Sequence, residues 1–144
     1  MPDNVFIDSN LWVYSFIEAE TEAEKRQTTL VLLEELSQQS NIVISIQVVN
    51  ETHWTLQKRY KLEEKLIREY IKGMIAVAEV LPMTLVDYQK AQALRDHYSF
   101  SFWDSLIVAV ALRANCEILY SEDLHHDLVV QESLRIRNPF TVIS

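Results

Sequence analysis

A chain of 144 residues, 49% hydrophobic, with one glycine and one cysteine, is long enough to bury a single core without disulfides or a structural metal. Gly73 standing alone excludes a Walker loop and a dinucleotide-binding turn, which each need two or three glycines at fixed offsets, and Cys116 alone excludes a multi-cysteine metal site. The net charge of −8 argues against coating nucleic acid by bulk attraction, but it leaves a nucleic-acid enzyme open, because net charge says nothing about where the charges lie.

In chain order, short apolar runs that read as buried strands alternate with longer helical patterns. The expected strands are Val5 to Ile7, Ile42 to Ile46, Glu79 to Leu81, Glu117 to Tyr120 and a last one near Phe140 to Ile143. Between them, Ser9 to Ile17, Glu22 to Gln39, Gln47 to Tyr60, Glu63 to Ala78, Val86 to Tyr98 and Trp103 to Asn115 carry helix-forming composition, most with apolar residues three and four apart. Alternation of this kind predicts an α/β fold with a central, mostly parallel sheet of about 4–5 strands. The prolines, Pro2, Pro82 and Pro139, lie near element ends, no linker or repeat interrupts the pattern, and residues 1–144 read as one domain. Met1 to Asn4 lacks a basic region followed by an apolar stretch, and the longest apolar run, Leu106 to Leu112, is far below the roughly 18 residues of a membrane span. The reading is cytoplasmic, with no membrane partner. Cys116 reads as a small buried hydrophobe, and Trp12, Trp54 and Trp103 as core residues, with stacking on RNA bases as the alternative.

Ligands of such sheets bind beyond the carboxyl ends of the strands. Asp8 follows the first strand, and Glu122 with Asp123 follows Ile118 to Ser121. Glu51 falls in the first turns of the helix after Ile46, and Asp104 sits just before the apolar run Leu106 to Leu112. If Asp8, Glu51, Asp104 and Asp123 converge, each carboxylate pair about 5 Å apart repels by ~3 kcal/mol at an effective dielectric of 20. Either they take up protons or a cation sits among them. An all-oxygen set favours Mg²⁺ or Mn²⁺, and such a site suits phosphodiester hydrolysis. Capping is the plainer alternative. Ser101 stands three residues before Asp104, and Asp8 is able to cap the helix that follows it. Thr84 and Asp87 repeat that spacing in ordinary helix sequence, so Asp87 reads as a capping residue, whereas Asp104 opens a helix apolar nearly all round, where an unpaired carboxylate is costly.

The charges are uneven. Glu18, Glu20, Glu22 and Glu24 form an acidic run, while Lys58, Arg59, Lys61, Lys65, Arg68 and Lys72 place six of the 13 basic residues in one stretch. Lys58 and Arg59 are candidate RNA contacts, against the alternative of a solvated, ion-paired helical face. A receiver domain needs two adjacent acids after the first strand and a late lysine. A haloacid-dehalogenase-type phosphatase needs Asp-x-Asp, and here Ser9 and Asn10 follow Asp8.

Val5-Phe6-Ile7-Asp8-Ser9-Asn10-Leu11-Trp12-Val13-Tyr14 resembles the opening of PIN-domain ribonucleases. Phe100-Ser101-Phe102-Trp103-Asp104-Ser105-Leu106-Ile107 resembles their Ser-Phe-Trp-Asp-Ala-Leu-Ile helix start. Leu119-Tyr120-Ser121-Glu122-Asp123-Leu124 is similar to their Leu-Ser/Thr-Glu-Asp-Leu segment, and Asn138-Pro139-Phe140 to the ending of VapC-type toxins. The resemblance implies a PIN-like three-layer α/β/α sandwich and a magnesium-dependent endoribonuclease, the toxin of a type II toxin-antitoxin pair. It further implies an RNA substrate, an antitoxin protein partner and a homodimer. Carried over residue by residue, Asp8, Asp104, Glu51 and Asp123 take the metal-binding and catalytic positions, with Glu122 as the other candidate beside Asp123. Ser121 takes the hydroxyl position, and Asn10 that of a polar residue ordering the site. A nuclease that processes RNA without an antitoxin, or a PIN fold that binds without cutting, are the alternatives. The chain departs from the family where His125-His126-Asp127-Leu128 replaces a glycine-containing loop, and where Tyr98-Ser99 stands for Tyr-Gly. The two histidines read as a solvated loop, with metal or phosphate contact as the alternative.

Overall fold

The computed structural model describes residues 2–141. The strands are β1 (Asp3–Ile7), β2 (Ser40–Ser45), β3 (Glu79–Leu81), β4 (Ile118–Tyr120), β5 (Val129–Val130) and β6 (Leu134–Arg137). The helices are α1 (Ser9–Phe16), α2 (Ala23–Gln39), α3 (Ile46–Lys58), α4 (Glu64–Val77), α5 (Leu85–His97) and α6 (Phe102–Arg113), with one 3₁₀ turn at Glu20–Glu22. They build a three-layer α/β/α sandwich. The sheet is six-stranded in the order β3-β2-β1-β4-β6-β5, parallel except for the β5–β6 pair.

Continuous apolar runs make the central strands, because helices cover both faces of a parallel sheet. Val5, Phe6 and Ile7 of β1 and Ile42 to Ser45 of β2 are all buried, with no alternation. α6 is buried from Ser105 to Ala111, so its apolar circumference is consumed by the core. Helix starts follow their caps: Ser45 accepts from the Val48 amide, Thr84 from Asp87 and Ser101 from Asp104.

Two expectations of the strand count are corrected. The sheet has one strand more than the upper expectation, because Leu134 to Arg137 alternates buried and outward residues over only four positions and pairs with the two-residue β5. No strand forms at Phe140 and Thr141. Pro139 has no amide to donate, and Asn138 Oδ1 accepts from the Phe140 amide at 2.9 Å, closing a turn. The remainder of that expected strand, from Val142, lies outside the described residues. No described helix is long and apolar enough to cross a membrane.

The strand order reverses direction at β1. Its neighbours on one side are β2 and β3, and on the other β4, β6 and β5. The crevice at such a reversal is where open α/β sheets bind ligands. Ile7 pairs with Tyr120, so the next residues of each strand, Asp8 and Ser121, emerge side by side there.

Candidate active site

Asp8 is 3% exposed. Its carboxylate accepts from the Ser9 amide and from Ser121 Oγ, both at 2.7 Å. It therefore caps α1 and faces the crevice at once. Burial pushes its pKa to about 6, against two hydrogen bonds that lower it, with further upward pressure from Asp123 and Asp104. Glu51 is pushed to about 7, chiefly by burial and then by the charge of Asp8, with Asp104 and Asp123 adding repulsion. Gln47 Nε2 holds it at 3.3 Å and also reaches the Trp103 carbonyl at 3.2 Å, tying α3 to α6. Asp104, the third residue of α6, is half-buried, and its pKa is raised by burial and by Asp123, against its hydrogen bond to Ser101. The four acids from four different segments thus stand within each other's fields.

Asp123 is placed by a small polar network. Asn10 Nδ2 donates to Asp123 Oδ2 at 3.0 Å, and the Asp123 amide donates to Ser121 Oγ at 3.2 Å. Ser121 is fully buried and Asn10 Nδ2 also reaches its hydroxyl at 3.4 Å. Glu122 has other partners. Tyr14 Oη donates to Glu122 Oε1 at 2.5 Å and Lys25 Nζ pairs with its other oxygen. Of the two candidates left open by the sequence, Asp123 is the one in the acid cluster.

A cleft of about 310 Å³ between α1 and α3 runs from Glu51 and Asp123 past Trp54 to Arg59 and Tyr60. A second opening of about 290 Å³ brings Asp104, Asp123 and His125 together. Arg59 therefore lies on the approach to the acids, with its guanidinium 5.3 Å from the Tyr60 ring, and Lys58 Nζ is 4.8 Å from the Trp54 ring. His126 does not point to the acids: its Nδ1 accepts from the Asn138 amide at 2.9 Å and its Nε2 meets Asp127.

The donor set is all oxygen, rich in negative charge and partly dry, which fits a hard divalent cation and not zinc. Among the described residues, no three Asp, Glu, His or Cys side chains are grouped closely enough to grip an ion as they stand. Side-chain rotation would have to draw the carboxylates inward.

A family model for the PIN domain matches residues 5–130. The chain belongs to the PIN-domain family. This PIN chain is also similar in fold to solved toxin-antitoxin structures. One is VapBC2 of Rickettsia felis bound to a DNA fragment from its promoter, at 17% identity and TM-score 0.64, covering 83% of this chain and 88% of that one. A second is VapC20 of Mycobacterium tuberculosis, a toxin that cleaves the sarcin-ricin loop, at 16% identity and TM-score 0.62, with 80% and 86% covered. A third is a toxin-antitoxin complex from Klebsiella pneumoniae, at 14% identity and TM-score 0.70, with 96% and 99% covered. No curated protein sequence matches the chain.

Two tryptophans of this PIN domain are not core residues. Trp12 is buried with Nε1 donating to the Ile7 carbonyl at 3.2 Å, but Trp54 is 61% and Trp103 62% exposed. Val48, Thr52 and Leu56 form the buried stripe of α3, and Trp54 lies two positions from Thr52, on the far side of the helix. Trp103 belongs to the first turn of α6, before the buried stretch starts at Ser105. Both line an apolar groove of about 620 Å³ with Ile46, Met83 and Leu106, and Glu51 stands at its border with the acidic cleft. Sequence reading also passed over Lys25, whose signal was faint: one of two adjacent bases closing an acidic run. Asp87 is the capping residue expected, in a capping box with Thr84 and a two-pronged pair with Arg113.

Proposed function

We propose that this PIN domain, spanning residues 1–144, is a divalent-metal-dependent endoribonuclease and the toxin of a type II toxin-antitoxin pair. The observation that carries the reading is the convergence of Asp8, Glu51, Asp104 and Asp123 on the crevice where the strand order reverses. Asp8, Asp104, Asp123 and Glu51 are the proposed metal-holding and catalytic acids. Asn10 and Ser121 support them by fixing Asp123 and Asp8. Bound Mg²⁺, with Mn²⁺ as a substitute, would neutralise phosphate charge and acidify a water at neutral pH.

The protein's own part is placement and charge. Asp8 is locked in one orientation by the Ser9 amide and Ser121, so it presents a fixed carboxylate at the base of the crevice. Glu51 is held by Gln47, and burial with the charge of Asp8 pushes its pKa up to about 7 in the absence of a cation, so that a bound cation would release its proton. Lys58 and Arg59 are proposed RNA contacts at the far end of the cleft, offsetting the repulsion between an acidic protein and a polyanion. The antitoxin partner and the cytoplasmic setting follow from the resemblance to VapC toxins. A homodimer follows from the same resemblance, and the exposed apolar groove of Ile46, Trp54, Met83, Trp103 and Leu106 offers a face of suitable chemistry for a second copy.

The test is incubation of a mixed cellular RNA pool with the purified, antitoxin-free protein in Mg²⁺, in Mn²⁺ and in chelator. Discrete fragments that depend on metal support the reading. A pool left intact under every condition, together with no calorimetric metal uptake, would remove it.

A further inference from the structure

Glu122 and Asp123 are neighbours in the loop after β4 and both border the cleft, yet their side chains are held by different partners. The Glu122 carboxylate is gripped from both sides by the Tyr14 hydroxyl on α1 and the Lys25 ammonium on α2. Lys25, its side chain 39% exposed, has Nζ 3.3 Å from Tyr14 Oη, 5.1 Å from the Tyr14 ring centre and 5.5 Å from that of Phe140. The Tyr14 and Phe140 rings meet edge to face at 5.4 Å, so the cation sits in an aromatic corner. On the backbone side of the same residue, the Glu122 amide donates to Asn10 Oδ1 at 3.3 Å, and the amide group of the same Asn10 donates to Asp123.

We propose that Lys25 is a positioning residue of the acidic site: by pairing with Glu122 it fixes the loop after β4 so that Asp123 faces the other carboxylates. The proposal rests on the metal-site reading above and adds a residue from a helix that contributes no acid to it. A carboxylate in a short loop has many orientations, and aiming it at like charges is unfavourable unless something holds the loop. A charge-assisted bond on the adjacent side chain does so. Glu122 is then an anchor and not a ligand.

The two roles for Glu122 predict opposite signs. If Lys25 and Glu122 form an anchor, Lys25→Met weakens Mn²⁺ binding by roughly tenfold or more, as loss of supporting contacts does at metal sites, and Lys25→Arg restores it. If Glu122 is instead a ligand held back by Lys25, Lys25→Met frees it and Mn²⁺ binds as tightly or more tightly. Calorimetric titration of Mn²⁺ into wild type and both variants, each checked for an intact fold by circular dichroism in chelator, distinguishes them. Unchanged or tighter binding in Lys25→Met overturns the proposal. If wild type takes up no Mn²⁺, the metal reading itself fails, and hydrogen exchange in chelator decides the anchor on its own. The anchor predicts amides of Glu122 and Asp123 exchanging at least about tenfold faster in Lys25→Met, and equal rates overturn it.

Discussion

Asp8 and Asp87 are both buried aspartates at helix starts, and their partners send them in opposite directions. Burial presses on Asp87 as well, but Arg113 donates to both its oxygens at 2.8 and 3.0 Å and Thr84 adds two more bonds, so its pKa falls below the usual carboxylate range. Asp87→Asn is expected to cost ~1–3 kcal/mol of stability by weakening a buried charge-assisted pair, read from urea midpoints. The hydrogen bonds to Asp8 come from an amide and a hydroxyl, not a cation. Its native pKa of about 6 stands above the ordinary 3.8, and that of Glu51, about 7, above 4.5. Between those values the folded chain holds protons that the unfolded chain has released. Their contribution is thus fully present below about pH 4 and is lost as pH rises toward 7. For Asp8 alone the rise from 3.8 to about 6 corresponds to ~3 kcal/mol. In chelator, the urea midpoint should fall between pH 4.5 and pH 7.5, and Asp8→Asn, which still caps α1, should flatten that fall. A midpoint that rises over this window in wild type would contradict the burial account of the site.

At the scale of elements, α3 carries function on two faces. Its buried stripe anchors the helix, Glu51 reaches the acids, Trp54 and, just past the helix end, Arg59 line the approach, and Lys58 lies beside Trp54. Charge reversal at Lys58 and Arg59 together should slow RNA cleavage at low salt, with the difference from wild type shrinking as salt rises; equal rates at low salt would remove these residues from substrate binding. Gly73 lies within α4, exposed, and a Cβ there would meet nothing within 4 Å. Gly73→Ala should therefore raise stability by ~0.5–1 kcal/mol through helix propensity alone, without altering cleavage. The central strands and the acids at their ends were legible because continuous apolar runs stop abruptly at a carboxylate. Asp104 was legible against Asp87 because the helix behind it is apolar on every side. Trp54 and Trp103 are exposed despite apolar neighbours in sequence, because a helix puts residues two apart on opposite sides. β5 and β6 were missed because a strand of two or four residues carries too little period. Asp127 shows how the loop manages without its glycine: it takes φ 66°, a left-handed conformation that aspartate tolerates better than most residues, and Arg137 pairs with its carboxylate at 3.2 Å.

For the whole molecule, the proposed RNA cleavage requires an acidic chain to place a polyanion against its own carboxylates. The fold separates the tasks: the acids gather at the strand ends, while the basic stretch begins at the mouth of the cleft that leads to them. The apolar groove beside this cleft, about 620 Å³ in volume, leaves Trp54 and Trp103 exposed. A dimer through that face predicts a two-chain mass in sedimentation equilibrium that Trp103→Lys reduces to one chain; an unchanged mass would place any self-association elsewhere. The proposed activity depends on the acids acting together on RNA. The direct measurement is the single-turnover rate on one RNA fragment cleaved in Mg²⁺, compared between wild type, Asp104→Asn and Asp96→Asn, a conservative change at an exposed position of α5. The account predicts a loss of ~100-fold or more for Asp104→Asn, with its melting temperature preserved, and a wild-type rate for Asp96→Asn. Equal rates for Asp104→Asn and wild type would mean that the acid cluster is not where this protein cuts.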